Sequence, residues 1–245
     1  MKRGPDLSHY QADAPGDYNE YKVWDGMPDM KLVFNKADFI MIKLTEGTYM
    51  VDAWARFYAE KAQEFNKPFW YYHFHRSNID PEEQCDFYHD ALQDHPEPTR
   101  KGTIDLETTD SVSDTTMSTK VCRMAELGVS LFGELYSNRN FLDYKLTPEK
   151  LSKMLAFLKI HFAWPSKLYD LPEYAIPNRL TRPQIPVLQR SWWESYPGIK
   201  GDVDDNIYLG NDYDSWAGTG VLPGYPVILS REERSAIISL REKLG

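Results

Sequence analysis

Asp105 and Glu107 stand two residues apart in GTIDLETTD, at the end of a short apolar run. Residues i and i+2 of a strand face the same side, roughly 6.6 Å apart along it. Both carboxylates therefore enter one space, while Leu106 turns toward the layer behind. Two acids at that range resist ionising together, which pushes one of them to keep its proton. A protonated carboxyl beside a carboxylate is the pair that cleavage of a glycosidic bond requires. A D-x-E tripeptide is common on its own, and its plain alternative is a solvated acidic strand end.

Other polar residues also end apolar runs. Asp6 lies in GPDLSHYQ, Lys43 and Glu46 in IMIKLTEG, Tyr72, His73 and His75 in FWYYHFH, and Asp204 in GDVDDNIYLG. Lys43 and Glu46 read equally well as an ion-paired strand end with no chemistry, since such pairs are frequent and worth little. His73 and His75 have an H-x-H spacing that some metallohydrolases use. No third histidine ends a matching strand, although His161 is a candidate, so histidines bonded to carboxylates are the favoured reading. Trp192 and Trp193 are adjacent on a strand and point opposite ways, which leaves one free to stack on a sugar face; Tyr71 and Tyr72 follow the same logic.

These groups need elements that bring strand ends together. Short apolar runs at 4–8, 37–44, 69–75, 102–106, 131–136, 159–163, 186–190 and 204–209 alternate with helical patterns. The helices are expected at 52–65, from Asp80-Pro81 through Leu92, at 115–127 before Gly128, and from Thr147-Pro148 to about Leu158. Strands alternating with helices imply parallel β/α units, and eight strands suit a closed barrel whose strand C-termini carry the site. The expected class is α/β, an irregular TIM-like barrel in a single domain, with 1–210 as the catalytic barrel. Residues 211–245 would pack on it as a loop (211–229) and an amphipathic helix (230–244) with a Ser230/Glu233 capping box.

The 245 residues carry 28 Lys+Arg against 37 Asp+Glu, a net charge of −9, which argues against nucleic acid as partner. No apolar run is long enough to cross a bilayer, and MKRGPDLSHYQ has no apolar segment of the secretory type. Cys85 and Cys122 are too few for a disulfide framework and read as reduced, buried thiols.

Taken in order, the fragments GPDLSHYQ, IKLTEGTYMVD, YYHF, IDLE, ELYSN and VDDNIYLG resemble the glycoside hydrolase family 25 muramidases over about residues 4–210. Asp6, Ser8 and Gln11 match the D-x-S-x-x-Q entry strand. Lys43, Thr45, Glu46, Gly47, Tyr49 and Asp52 match K-x-T-E-G with its downstream Tyr and Asp. Tyr72, His73 and Phe74 match Y-H-F, Asp105 and Glu107 match D-x-E, Tyr136 and Ser137 match Y-[ST], and Val203, Asp204 and Asn206 match V-D-x-N. The resemblance implies hydrolysis of the β-1,4 bond between N-acetylmuramic acid and N-acetylglucosamine of peptidoglycan. Glu107 would be the general acid. Asp105 would be its partner, either attacking the anomeric carbon or orienting the acetamido group. Asp6, Asp204, Tyr72, His73, Tyr136, Lys43, Glu46, Gln189 and Trp192 would support the pair or bind substrate.

The chain departs from the pattern at three places. Residues 13–36 are long enough to form a loop over the groove, His161 stands where the family tends to have Trp, and Leu188-Gln189-Arg190 replaces W-Q-Y. No metal and no cofactor are expected, nor a membrane partner, and the chain is expected to act as a monomer. With no secretory leader read, it would be made in the cytoplasm and reach the wall by phage lysis or on a virion. The rival readings are a non-catalytic glycan-binding or virion structural protein on the same barrel, a metallohydrolase through His73 and His75, and a chitinase-like D-x-E barrel.

Overall fold

The computed structural model describes residues 1–11, 28–164, 169–199 and 202–218. The strands are β1 (Arg3–Leu7), β2 (Ile40–Glu46), β3 (Met50–Val51), β4 (Phe69–Phe74), β5 (Gly102–Asp105), β6 (Phe132–Asn138), β7 (Lys159–Ala163), β8 (Val187–Ser195) and β9 (Asp202–Tyr208). The helices are α1 (Met30–Lys36), α2 (Ala55–Glu64), α3 (Pro81–Gln93), α4 (Asp114–Leu127), α5 (Pro148–Met154) and α6 (Tyr213–Ala217). Local chemistry starts them where expected. Asp80, Ser113 and Thr147 accept hydrogen bonds from the first-turn amides of α3, α4 and α5, and Pro81 and Pro148 sit at helix starts that need no amide donor.

The strands form one sheet in the order β1-β9-β8-β7-β6-β5-β4-β2-β3, and pairing of β1 with β2 closes it into a barrel; β3 is a short hairpin partner of β2 outside the ring. The wall is parallel from β1 through β2, β4, β5, β6 and β7 to β8, but β9 runs antiparallel to both neighbours. The irregular TIM-like barrel is as expected, but β9 departs from the parallel β/α units. Only residues 196–201 join β8 to β9, and a parallel crossover needs a dozen or more residues.

Two further expectations change. Residues 30–36, read as part of a loop over the groove, form α1, whose first amides are capped by Asp29; residues 12–27 of that segment lie outside the described residues. Residues 213–217, read as loop, form α6, capped by Asp212 and ended by Gly218 in the left-handed conformation. The expected helix at 230–244 lies outside the described residues.

Alternation divides the wall into two faces. Ile40, Ile42 and Leu44 of β2, Phe69 and Tyr71 of β4, and Ile160 and Phe162 of β7 join the large apolar core between strands and helices. Burying each such side chain contributes roughly 1.5–3 kcal/mol. The inner face is filled differently at its two ends. At the N-terminal end of the parallel strands, Phe39, Met41 and Trp70 pack with Trp216 of α6. There Glu134 accepts from Arg100 at 2.8 Å and from the Trp216 indole at 3.0 Å. At the other end the inner face opens.

Candidate active site

A cavity of about 190 Å³ lies at the C-terminal ends of the parallel strands, and Asp6, Lys43, Tyr72, Asp105, Glu107, Tyr136, His161, Gln189 and Asp204 are among its walls. Each arrives by strand alternation. Thr103 and Asp105 of β5 face in, and the chain carries Glu107 into the same opening two residues later. Leu106 turns into the core with no exposure, as the i, i+2 argument required. Asp6 of β1 and Asp204 of β9 stand directly opposite each other in the antiparallel register.

Four carboxyls thus converge, and their titration is displaced upward. Burial, then the charges of Asp204 and Glu107, push Asp6 well above the ordinary carboxylate range. Burial and Glu107 do the same to Asp105, with Lys43 opposing. Asp204 is pushed up to about 6 by burial and by Glu107, even though Asp6 and Gln189 hydrogen-bond to it. Glu107 stands exposed at the mouth; partial desolvation raises it, while Tyr136 and Lys43 pull the other way. Like charges this close resist ionising together, so the cluster retains protons toward neutral pH.

Gln189 organises the floor. Its Oε1 accepts from the Tyr136 hydroxyl at 2.5 Å and from the Trp192 indole at 3.0 Å, and its side chain bonds both Asp6 and Asp204. A register shift in β8 after Gln189 lets residues three apart meet on one face. Trp192 is left 41% exposed at the rim; the side chain of Trp193 lies outside the described residues. Tyr72 lines the cavity, and burial with the surrounding carboxyls keeps its hydroxyl protonated.

Lys43 and Glu46 are ion-paired at 2.5 Å. A register shift between Lys43 and Thr45 puts residues three apart on the same side of β2. Burial pushes Glu46 up, but hydrogen bonds from Lys43, Tyr49 and Arg76 outweigh it and hold its carboxyl at about 2. Glu46 is therefore a fixed anion that anchors Lys43, and Lys43 is the group that faces the catalytic candidates.

His73 does not reach the cavity, contrary to expectation. It lies on the outer face of β4 with no exposure, between the Thr45 hydroxyl at 2.7 Å and Gln84 of α3 at 3.1 Å. Alternation is the reason: with Tyr72 and Phe74 inward, the residue between them faces the helices. His75 is likewise enclosed, against the Met124 sulfur at 3.3 Å. Burial lowers the two histidines to about 4 and about 3. The H-x-H pair therefore opens onto no substrate space, and among the described residues no group of three or more His, Cys, Asp or Glu could hold a metal ion.

The other departures are also resolved by facing. His161 is buried at the bottom of the cavity, with Nε2 2.7 Å from Asn206 Oδ1, and Asn206 in turn donates to Asp6 at 2.9 Å. Arg190 does not flank the groove; it faces outward onto Asp205. Asp52 is a latch: it accepts from the His9 amide and ring and from the Trp54 amide, fixing the turn that brings Tyr10 and Gln11 to the cavity. Asn206 was already marked by the V-D-x-N match, and Thr103 could have been found by counting two residues back from Asp105. Arg76 carried no such signal.

The model of glycosyl hydrolases family 25 matches residues 6–157. No curated protein sequence matches the chain. Among solved structures, a bacterial lysozyme from Streptomyces coelicolor is similar with a TM-score of 0.68 at 20% identity, over 89% of this chain and 97% of its own. A muramidase from Trichobolus zukalii gives 0.63 at 19% identity, over 89% and 97%, and the CTP1L endolysin 0.61 at 17%, over 89% and 70%. Those identities speak to the barrel alone, but the family model spans more than half of the chain and includes Asp6, Lys43, Asp105, Glu107 and Tyr136 of the cavity. The chain belongs to glycosyl hydrolases family 25 and is a glycoside hydrolase.

Proposed function

We propose that the protein is a peptidoglycan N-acetylmuramidase that hydrolyses the β-1,4 bond between N-acetylmuramic acid and N-acetylglucosamine. The observation that carries this reading is the convergence of Asp105 and Glu107 on one open cavity with both acids raised. The names of the similar structures, lysozyme, muramidase and endolysin, support the substrate class. Glu107, at the mouth, donates its proton to the glycosidic oxygen as the bond breaks, and the leaving sugar departs with a hydroxyl. Asp105, deeper and flanked by Lys43, stabilises the positive charge that develops at the anomeric carbon. It does so by attack on that carbon or through the substrate's acetamido group. Water then completes the hydrolysis, with Glu107 taking back a proton.

Asp6 and Asp204 hold a shared proton beneath this pair, and Gln189 and Tyr136 fix its geometry. Trp192 offers a flat apolar ring at the rim, suited to the CH face of a sugar. Incubation with purified peptidoglycan, followed by mass spectrometry of the soluble fragments, tests the reading. We expect new reducing ends at N-acetylmuramic acid, and their loss in folded Glu107→Gln. Binding without reducing ends, or an unchanged rate in Glu107→Gln, would overturn it.

A further inference from the structure

Glu107 is gripped through its backbone on both sides. On the N-terminal side, the Leu106 amide donates to the Tyr136 carbonyl at 3.0 Å and the Leu106 carbonyl accepts from the Ser137 hydroxyl at 2.7 Å. On the C-terminal side, the Thr108 carbonyl accepts from the Ser77 hydroxyl at 3.1 Å. Asp110 accepts from the Ser77 amide at 2.6 Å and from Arg76 Nη1 at 2.9 Å. Asp110 and Ser111 have φ of 46° and 64°, a left-handed pair in a loop without glycine. Such a conformation persists only where surrounding contacts over-determine it.

Arg76 also reaches the other group that acts on Glu107. Its Nε donates to Glu46 Oε1 at 3.0 Å, and Glu46 Oε2 holds the Lys43 ammonium at 2.5 Å. The Phe74 ring lies beneath both cations, 4.9 Å from Arg76 and 5.0 Å from Lys43. Arg76 itself is fixed by Gln84, whose amide takes the Arg76 N–H at 2.8 Å and donates to the Arg76 carbonyl at 3.0 Å. Gln84 is fully buried and is held in turn by His73. A planar fork that bonds two carboxylates at once suits arginine and no other side chain.

We propose that Arg76 is a positioning residue: by bridging Glu46 and Asp110 it holds the loop after Glu107 and the Lys43 ammonium in one fixed relation to the catalytic pair. The inference rests on the muramidase reading above. Displacement of a reacting group by about 1 Å costs on the order of 100-fold in rate, so the loss belongs in kcat. In Arg76→Ala we expect kcat on peptidoglycan to fall at least 10-fold with KM within twofold. Part of the loss should be recovered by tens of millimolar methylguanidinium, but not by equal sodium chloride.

Asp110→Asn, which keeps the shape of the loop, should give a smaller loss of the same kind. The double variant should be no slower than Arg76→Ala alone, because both act through one bridge. Thermal melts and circular dichroism establish that each variant is folded. Should Arg76→Ala fail to fold, the kcat of Asp110→Asn decides. The proposal is overturned if the folded variants keep kcat within twofold, if the loss lies in KM, or if the two losses multiply. A wild-type protein that releases no reducing ends would instead overturn the function reading.

Discussion

Asp204 and Asp205 are neighbours on β9 and face opposite sides of the wall. Asp205, on the outer face, has no exposure and is surrounded by partners: Arg190 at 2.5 Å, Arg3 at 2.8 Å and the Tyr196 hydroxyl at 2.6 Å. Glu194 and Lys36 extend the same cluster. Asp204, on the inner face, meets Asp6 and Glu107, and is pushed up to about 6. Burial is common to both residues; the company differs. A carboxylate ringed by cations holds the structure together, whereas carboxyls compensated by one another must share protons, and a shared proton is available for transfer.

Three substitutions test that contrast. The largest effect is expected at Asp105. Asp105→Asn should lower turnover about 10²–10⁴-fold without lowering stability in urea, because it removes a carboxyl whose ionised form its surroundings penalise. A comparable loss of stability would place Asp105 with the structural acids. Asp205→Ala should do the reverse, costing about 3–5 kcal/mol in urea unfolding because it takes one carboxylate partner from the buried Arg190 and from the partly buried Arg3. The turnover per folded molecule should be retained.

A smaller effect is expected at Asp204. Its folded pKa, about 6, lies above its ordinary value of 3.8, so between those values the folded state binds more protons than the unfolded state. Stability from this group is therefore fully present below about pH 4 and is lost as pH rises through about 6. Asp204→Asn removes the loss and should raise stability relative to wild type at pH 7–8 by on the order of 1 kcal/mol, with no gain at pH 4. A gain independent of pH would count against proton sharing. Thermal melts across pH provide the measurement.

Much of this arrangement was legible because strand geometry is periodic. The i, i+2 spacing of Asp105 and Glu107, the apolar runs that became the barrel wall, and the helix starts at Asp80 and Thr147 need only local rules. The same alternation, applied strictly, would have turned His73 outward. The ordered motifs suggested a site residue there, but they do not state which way a side chain faces. The shift after Lys43 was not legible, since one extra residue in a strand leaves no compositional mark. Nor was the direction of β9, which follows from the length of a connection once strand ends are known. Arg76 was hidden for a different reason: its importance lies in joining Glu46 to Asp110 across three loops, a relation that exists only in the folded chain.

The contrast between Asp204 and Asp205 requires that the inner carboxyls hold protons that isolated carboxyls would have lost. Carbon-13 NMR titration of the Asp and Glu side-chain carboxyls, assigned with Asp6→Asn, Asp105→Asn, Glu107→Gln and Asp204→Asn, measures this directly. We predict that Asp204 titrates near 6, with Asp6 and Asp105 well above the ordinary value of 3.8. Titration of all four together in the ordinary carboxylate range would rule out proton sharing on the inner face.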